Sequence, residues 1–541
     1  MKHLLNIFLL AVVSLLAPAT SAAQTTPEPT TTEPTTTAER AGVTTLEEAL
    51  ATITESDCFD NVMILAARGM AGRGTMTEGF GRAASFVESQ LEALGYKPAQ
   101  GESFRIPVTL SCIVGGEECS FLISGLKEGE AKPELEIEKD FVPVLGSPEL
   151  MARGEPVFIG YAINSKKEKW VDLKEKSVRG KVVFAFTREP QADDPKAKTF
   201  DGTDPTRYSS VQMKAKEVLD AGGIGLVLVP DPGILEQEDR PMPGMVPYVD
   251  SRGSGPSLMK SPQLKLHEIP VMSVSRAVAS RIFDTDITAY YHSMNKKKKP
   301  KTLTAAKGVE VLLGVQWAAK NRETFNLAAL LPAAESNGEV LVLGAHLDHV
   351  GFDVVQDGLS MVLRPGADDN ASGSGALLEV AQALSGTRPQ IDILFLWFTG
   401  EELGLLGSRD YCEHPIFPHK NTVAMFNMDM VGRTDAKKIN IGGLWDLPTW
   451  TKLIKSLHQR IGSRLKMDNQ QGRDLYARSD QYSFHQAGVV SLFFFEADLE
   501  GNKVYHQPGD VPETIDGAKM SEIAKLFTAL VWAVAYEGER P

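Results

Sequence analysis

The amino-acid sequence predicts an α/β protein, a doubly wound and mostly parallel sheet flanked by helices, with a second, smaller α/β module inserted into it. Three observations carry this. From Thr324 onward apolar runs of strand length alternate with helical stretches, the pattern of strands joined by crossover helices. Those runs are almost continuously apolar, as parallel strands covered on both faces must be. Between Pro156 and Arg281 the texture differs, with short β-branched runs separated by Gly, Pro and Asp. A length of 541 residues is more than one small core can use. The composition, 43% hydrophobic and 23% charged, is that of an ordinary globular chain and excludes a wholly disordered or multi-span membrane protein. With 56 Lys+Arg against 70 Asp+Glu the net charge is −14, which argues against a general nucleic-acid binder needing a basic surface.

Residues 1–23 have the order of a secretory signal peptide: Lys2 and His3, an apolar run from Leu4 to Ala17, then small residues to Ala23. The run is shorter than a membrane span requires, so no stable membrane insertion is expected after cleavage. Residues 24–44 are dominated by Thr, Pro and Glu, with nothing to bury, and read as an extended linker. An exported protein is expected. Cys112 and Cys119 flank Gly115-Gly116, a spacing that fits a loop-closing bridge in an oxidising compartment, while Cys58 and Cys412 either pair or stay free. No CxxC spacing suggests a cysteine zinc site.

Residues 45–145 form the first part of the main domain. The stretch to about Gln100 reads as helical, with Phe80 to Leu94 spaced as a helix that ends at Gly95. The remainder, from Ser103, is β-rich. Residues 146–295 are the expected insert, with strands at 157–160, 181–186 and 224–229 and a helix at 209–221. The lysine run from Asn295 to Lys301 reads as a solvated loop leading back. Residues 296–541 complete the main domain, with strands at 340–345, 391–398, 422–428 and 489–495 and helices at 375–384, 403–411, 449–461 and 520–535.

In a doubly wound sheet, ligands sit beyond the carboxyl ends of the strands. Here those ends run into His346-Leu347-Asp348-His349, Asp368-Asp369-Asn370, Gly400-Glu401-Glu402, Asn427-Met428-Asp429 and, past the last strand, Tyr505-His506. Singly, each has another reading. His346 could bond to backbone, Asp369 could cap the next helix, and Glu401 and Glu402 could answer a helix dipole. His349 could support a site or be a polar strand-end residue. His414, His419 and His485 read as surface or packing residues. Together, carboxylates crowded at one sheet edge repel one another unless a cation holds them. Histidines among them favour zinc or a similar metal over calcium or magnesium. Two such ions about 3.5–4 Å apart, bridged by a carboxylate, would turn a shared water into hydroxide near neutral pH. The chemistry expected is metal-assisted hydrolysis, with an unligated carboxylate as general base.

The segments HLDH, GADDNASG, TGEELGLLGS, NMDMVG and YHQPGD, in this order between Val340 and Asp510, resemble the secreted di-zinc exopeptidases, the family of bacterial leucyl aminopeptidases, aminopeptidase Y and glutamate carboxypeptidase II. Gly72-Arg73-Gly74-Thr75, followed by the helix ending at Leu94-Gly95-Tyr96, is similar to that family's opening segment. Gly160, Gly180-Lys181-Val182, Lys214 and Ala221-Gly222-Gly223 resemble the protease-associated domain often inserted in such enzymes. The resemblance implies the zinc exopeptidase fold and two Zn2+ ions, other divalent metals being possible. Asp369 would bridge them, His346 and Asp429 would hold one, and Glu402 and His506 the other. It implies Glu401 as general base, Asp348 orienting His346, and Tyr476 stabilising the oxyanion. The family often has His after the Ser-Asp pair, where this chain has Gln481. Asn370-Ala371-Ser372 matches a glycosylation sequon but lies inside the motif, so it is expected to be unmodified.

The expected activity is therefore a secreted zinc aminopeptidase acting on peptide substrates. A carboxypeptidase of the glutamate carboxypeptidase II type, an aminoacyl cyclase of related fold, and a non-catalytic receptor on the same scaffold are the rivals.

Overall fold

The computed structural model describes residues 44–541 except 127–133, 145, 193, 195, 201–205, 234–238, 240, 242–266, 300, 355–360, 434–437, 469–472, 474, 497–501 and 541. The expected export signal, and all but Thr44 of the expected linker, lie outside the described residues.

A nine-stranded sheet organises the main domain. Its centre is four parallel strands in the order Asp392–Phe398, Val340–His346, Thr422–Asp429 and Ser491–Phe495. Every residue of Asp392–Phe398 and Val340–His346 is buried, as continuous apolar runs predict for strands covered on both faces. Antiparallel strands extend this core on both sides. Trp317–Leu331 pairs with Asp392–Phe398, with Arg105–Gly115 and with Lys97–Pro98. Lys438–Gly442 pairs with Ser491–Phe495 and, in parallel, with Lys466–Asp468.

Helices cover both faces. Gly373–Leu384, Gly517–Ala535 and Glu55–Leu65 pack into the larger core on one side. Tyr411 of Leu406–Glu413 and Phe484 of Gln481–Gln486 pack on the other, with rings 5.5 Å apart. Local chemistry sets several helix starts: the Asp516 carboxylate accepts the Lys519 N–H at 3.1 Å, and Thr77 accepts that of Phe80 at 3.4 Å. The helices expected at 375–384, 449–461 and 520–535 are present at Gly373–Leu384, Pro448–Arg460 and Gly517–Ala535.

A six-stranded sheet forms the second layer system. Four parallel strands, Pro156–Phe158, Val182–Phe186, Gly225–Val229 and Val271–Val274, are edged by antiparallel Leu303–Thr304 and Phe141–Pro143. The two edge strands come from outside the 146–295 span. Its two faces carry separate apolar cores, one rich in Phe, Tyr and Trp and one mostly aliphatic.

Three expectations change. Cys112 and Cys119 do not form a bridge; all four cysteines are free. Cys112 turns into a small cluster with Val108, Leu110 and Leu406, whereas Cys119 joins the core of the second sheet, so the two thiols face different cores. The lysine run is not all loop, because helix Ile287–Lys297 takes in its first residues and places Lys296 and Lys297 in the last turn, where cations oppose the helix dipole. The strand region begins well before Thr324, since Trp317–Leu331 is a 15-residue strand whose polar first part pairs with Arg105–Gly115. Among the described residues no helix is long and apolar enough to cross a membrane.

Candidate metal centre

The carboxyl ends of neighbouring parallel strands bring the predicted residues together. Val340–His346 ends on His346, and Thr422–Asp429 beside it ends on Asp429. Asp392–Phe398, on the other flank, leads through Gly400 into Glu401 and Glu402. Asp369 arrives on the turn before helix Gly373–Leu384, and His506 from beyond Ser491–Phe495. Parallel strands force this convergence, because all their carboxyl ends lie on one sheet edge.

Among the described residues these side chains form two groups able to hold a metal ion: His346, Glu401 and Asp429, and His349, Asp369, Glu402 and His506. The Asp369 carboxylate stands between the groups. One oxygen, Oδ1, lies 3.4 Å from His346 Nε2, and the other, Oδ2, lies 2.9 Å from His506 Nε2. His346 Nε2 is also 3.3 Å from Asp429 Oδ1, and His506 Nε2 is 3.0 Å from Glu402 Oε2. Despite these approaches, His346 Nε2, His506 Nε2 and Asp429 Oδ1 are buried without a hydrogen bond. A buried polar atom left unpaired costs about 1–3 kcal/mol, so three in one place call for a common partner. Donors of N and O type aimed at shared points fit two zinc-like cations.

The electrostatics agree. Burial holds the Glu401 carboxyl well above its usual range, against the pull of the His346 imidazole. Burial also penalises the charged form of Glu402, but His506 and His349 outweigh it and hold that carboxyl well below its usual range. For His506, burial opposes the charged form, yet Glu402 and Asp369 prevail and push its pKa up to about 11. Without a metal, the cluster thus balances itself with protons, which a cation would displace.

Asp348 is fully buried and burial raises its pKa to about 6. Its Oδ2 accepts the Thr75 hydroxyl at 2.6 Å and its Oδ1 accepts the Glu401 N–H at 3.2 Å. Oδ1 lies 3.8 Å from His346 Nδ1, while the Asp348 main-chain carbonyl, at 3.1 Å, makes the hydrogen-bond contact. The orienting contact to His346 is therefore through the backbone, and the carboxylate instead fixes the Glu401 loop.

Through its hydroxyl, Tyr476 donates to the Ser491 carbonyl at 2.8 Å. Its ring belongs to an apolar cluster with Met430, Phe493 and Phe495, edged by Trp445, Leu475, Tyr482 and Tyr505. Gln481 is buried beneath it, donating to the Tyr476 carbonyl and accepting from Asn427 Nδ2 at 3.0 Å. Asn370 is fully buried and bonded on both sides of its amide, to Met428 O and from Gly373 N, so the sequon offers no acceptor to a glycan.

Two more side chains contribute: His349, for which support of the site is one of two sequence readings, and Asp510, to which the sequence reading gives no role. His349 is buried, and its Nδ1 makes a 2.7 Å hydrogen bond with Glu402 Oε1. Asp510 accepts the N–H groups of Asp368 and Asp369, at 2.9 and 3.2 Å, and pairs with Arg433 at 2.6 Å. The signal for both was position inside the HLDH and YHQPGD segments.

Residues 326–531 match the profile of peptidase family M28. A probable leucine aminopeptidase of Arthroderma benhamiae is 34% identical over 220 residues, 39% of this chain and 58% of the relative. Aminopeptidase YwaD of Bacillus subtilis is 29% identical over 254 residues, 46% of this chain and 52% of that protein. The chain thus spans little more than half the length of these relatives. Among solved structures, the aminopeptidase from Aneurinibacillus sp. strain AM-1 is 18% identical, with 92% of this chain and 98% of that one covered and a TM-score of 0.46. A zinc aminopeptidase from Bacillus subtilis is also 18% identical, with 90% and 97% covered and a TM-score of 0.44. The stretch 326–531, which is similar to peptidase family M28, contains every carboxylate and imidazole of the two groups.

Proposed function

We propose that the protein is an exported zinc aminopeptidase that removes apolar residues from the amino ends of peptides. The observation that carries this is the Asp369 carboxylate, with one oxygen toward His346 and the other toward His506. In this reading His346 and Asp429 would hold one Zn2+, Glu402 and His506 would hold the other, and Asp369 would serve both. Bound there, the ions supply a Lewis acid for the scissile carbonyl and acidify a water. Glu401, half-buried and with its carboxyl pKa raised, takes the proton of the attacking water and passes it to the leaving amine. Asp348 fixes the loop that carries Glu401, and His349 restrains Glu402.

The names of the similar proteins, leucine aminopeptidase and aminopeptidase, favour the amino end, and a terminal carboxylate would need a free cation beside the site. The guanidinium of Arg433, next to the cluster, is engaged with Asp510. The apolar cluster adjoins the acids directly: Met430 follows Asp429, and the Tyr505 ring stacks on His506 with centroids 3.9 Å apart. It suits a bulky apolar side chain. Residues 1–23 fit an export signal, and the second sheet, at 141–304, fits the inserted protease-associated module.

The test is direct. Purified protein should carry two zinc equivalents, cleave leucine 4-nitroanilide, and lose that activity to chelator and regain it with zinc. Amino-blocked peptides should resist and carboxyl-amidated peptides should be cleaved; the reverse pattern identifies a carboxypeptidase. Metal-free protein of undiminished activity refutes the mechanism.

A further inference from the structure

Outside the span matched to the family lies Gly72-Arg73-Gly74-Thr75, on an irregular turn before helix Glu78–Ala93. It pairs with the chain just beyond the end of strand Val340–His346. The His349 N–H donates to the Arg73 carbonyl at 3.1 Å and the Gly351 N–H to that of Gly72 at 3.0 Å. Position 72 has no room for a side chain: at φ +67°, a Cβ would lie 2.4 Å from the Arg364 carbonyl oxygen and 2.8 Å from Gly351 Cα.

That close approach buries Arg73 completely. A buried guanidinium usually meets a carboxylate. This one spends its hydrogen bonds on carbonyl oxygens instead. Nε donates to Leu347 at 3.0 Å, Nη1 to Leu65 at 2.8 Å and Pro365 at 2.7 Å, and Nη2 to Gly366 at 2.8 Å and Asp369 at 3.3 Å. Three of those carbonyls belong to the loop that presents Asp369, and a fourth follows His346 directly. Burial lowers its pKa to about 10, leaving a cation at neutral pH. Two residues on, the Thr75 hydroxyl holds Asp348 Oδ2 at 2.6 Å, and the other oxygen of that carboxylate holds the Glu401 N–H.

We infer that Gly72–Thr75 is a positioning element of the metal centre, Arg73 fixing the main chain of Asp369 and Thr75 fixing Asp348 and through it the Glu401 loop. The inference rests on the zinc-peptidase reading above. Arg73 and Thr75 touch no substrate; they act through the residues they hold. Lysine cannot replace Arg73, because three donors on one ammonium cannot reach carbonyls spread around a planar fork.

The experiment uses the full chain with Thr75→Val, Thr75→Ser and Arg73→Lys. Zinc affinity is measured by competition with a chromophoric chelator, kcat and KM on leucine 4-nitroanilide, and melting on metal-free protein. Supporting contacts of this kind change metal affinity or activity by roughly 10–100-fold. Thr75→Val should therefore bind two zinc ions and melt as wild type, yet lose about 10-fold in kcat with KM nearly unchanged, and Thr75→Ser should restore kcat. Arg73→Lys should weaken zinc binding by at least about 10-fold. Should Arg73→Lys not fold, the Thr75 pair decides alone. Wild-type kcat in Thr75→Val, or a loss that follows melting and is not restored by serine, overturns the inference. Wild-type protein that binds no zinc or cleaves no aminoacyl substrate refutes the peptidase reading instead.

Discussion

Glu401→Gln separates two roles the geometry allows. Glu401 stands in the same group as His346 and Asp429, so it is either a third ligand of that metal or an unligated base. The distances favour the base: its Oε2 is 4.0 Å from His346 Nε2, whereas Asp429 Oδ1 is 3.3 Å away and Asp369 Oδ1 3.4 Å. Glutamine keeps the volume, and the bond that places residue 401 is from its own main-chain N–H to Asp348, so the loop is retained. Only the proton-accepting oxygen is lost. A positioned general base contributes about 10²–10⁴ in rate, or about 3–5 kcal/mol of barrier. The variant should hold two zinc equivalents by mass spectrometry of the native protein and turn over leucine 4-nitroanilide about 10²–10⁴ more slowly, with KM changed little. Retained zinc with near wild-type turnover would remove Glu401 from the base role. Loss of one zinc equivalent would make it a ligand and refute the reasoning from distances.

Three further outcomes follow from the same contacts. Asp510→Asn removes the carboxylate that pairs with the half-buried Arg433, so denaturant unfolding of the metal-free protein should show a loss of about 1–3 kcal/mol; no loss contradicts the ion-pair account. At Gly366, with φ +63°, a Cβ would lie 2.3 Å from the Asp369 carbonyl and 2.4 Å from the His349 ring, so Gly366→Ala should lose zinc binding in chelator competition while the far-UV spectrum keeps its shape. Burial raises the Glu379 carboxyl to about 7, so the folded state holds its proton where the unfolded state has released it. Its contribution to stability is therefore lost as pH rises from about 4.5 to about 7, by at most about 3.4 kcal/mol at 1.36 kcal/mol per pH unit. In urea unfolding Glu379→Gln should be more stable than wild type at pH 8 and no better at pH 4; an equal gain at both values would disprove the burial argument.

The legible parts of the sequence were those governed by local rules. Continuous apolar runs at 340–345 and 391–398 marked buried parallel strands, and the parallel arrangement in turn required His346, Glu401, Glu402 and Asp429 to share one edge. What escaped was set by partners distant in sequence. Cys112 and Cys119, seven positions apart, face different cores because Cys112 lies within strand Arg105–Gly115 and Cys119 on the turn that follows it. Tyr476 gives its proton to Ser491, a carbonyl 15 residues away that no spacing rule points to. Arg73, a hydrophilic residue by type, is fully buried because carbonyls up to 296 positions away close around it.

The chain alone determined its fold class, its strand-end acids and imidazoles, and hence the kind of metal chemistry they suit, because periodicity and residue type are local properties. Tertiary structure alone decided the division of labour. It set Asp369 between two groups, gave Asp348 to Thr75 and the Glu401 loop, tied His349 to Glu402, and placed Arg73 beneath the bridging loop. Hydrogen bonds act over about 3 Å, and only folding brings segments hundreds of residues apart within that reach.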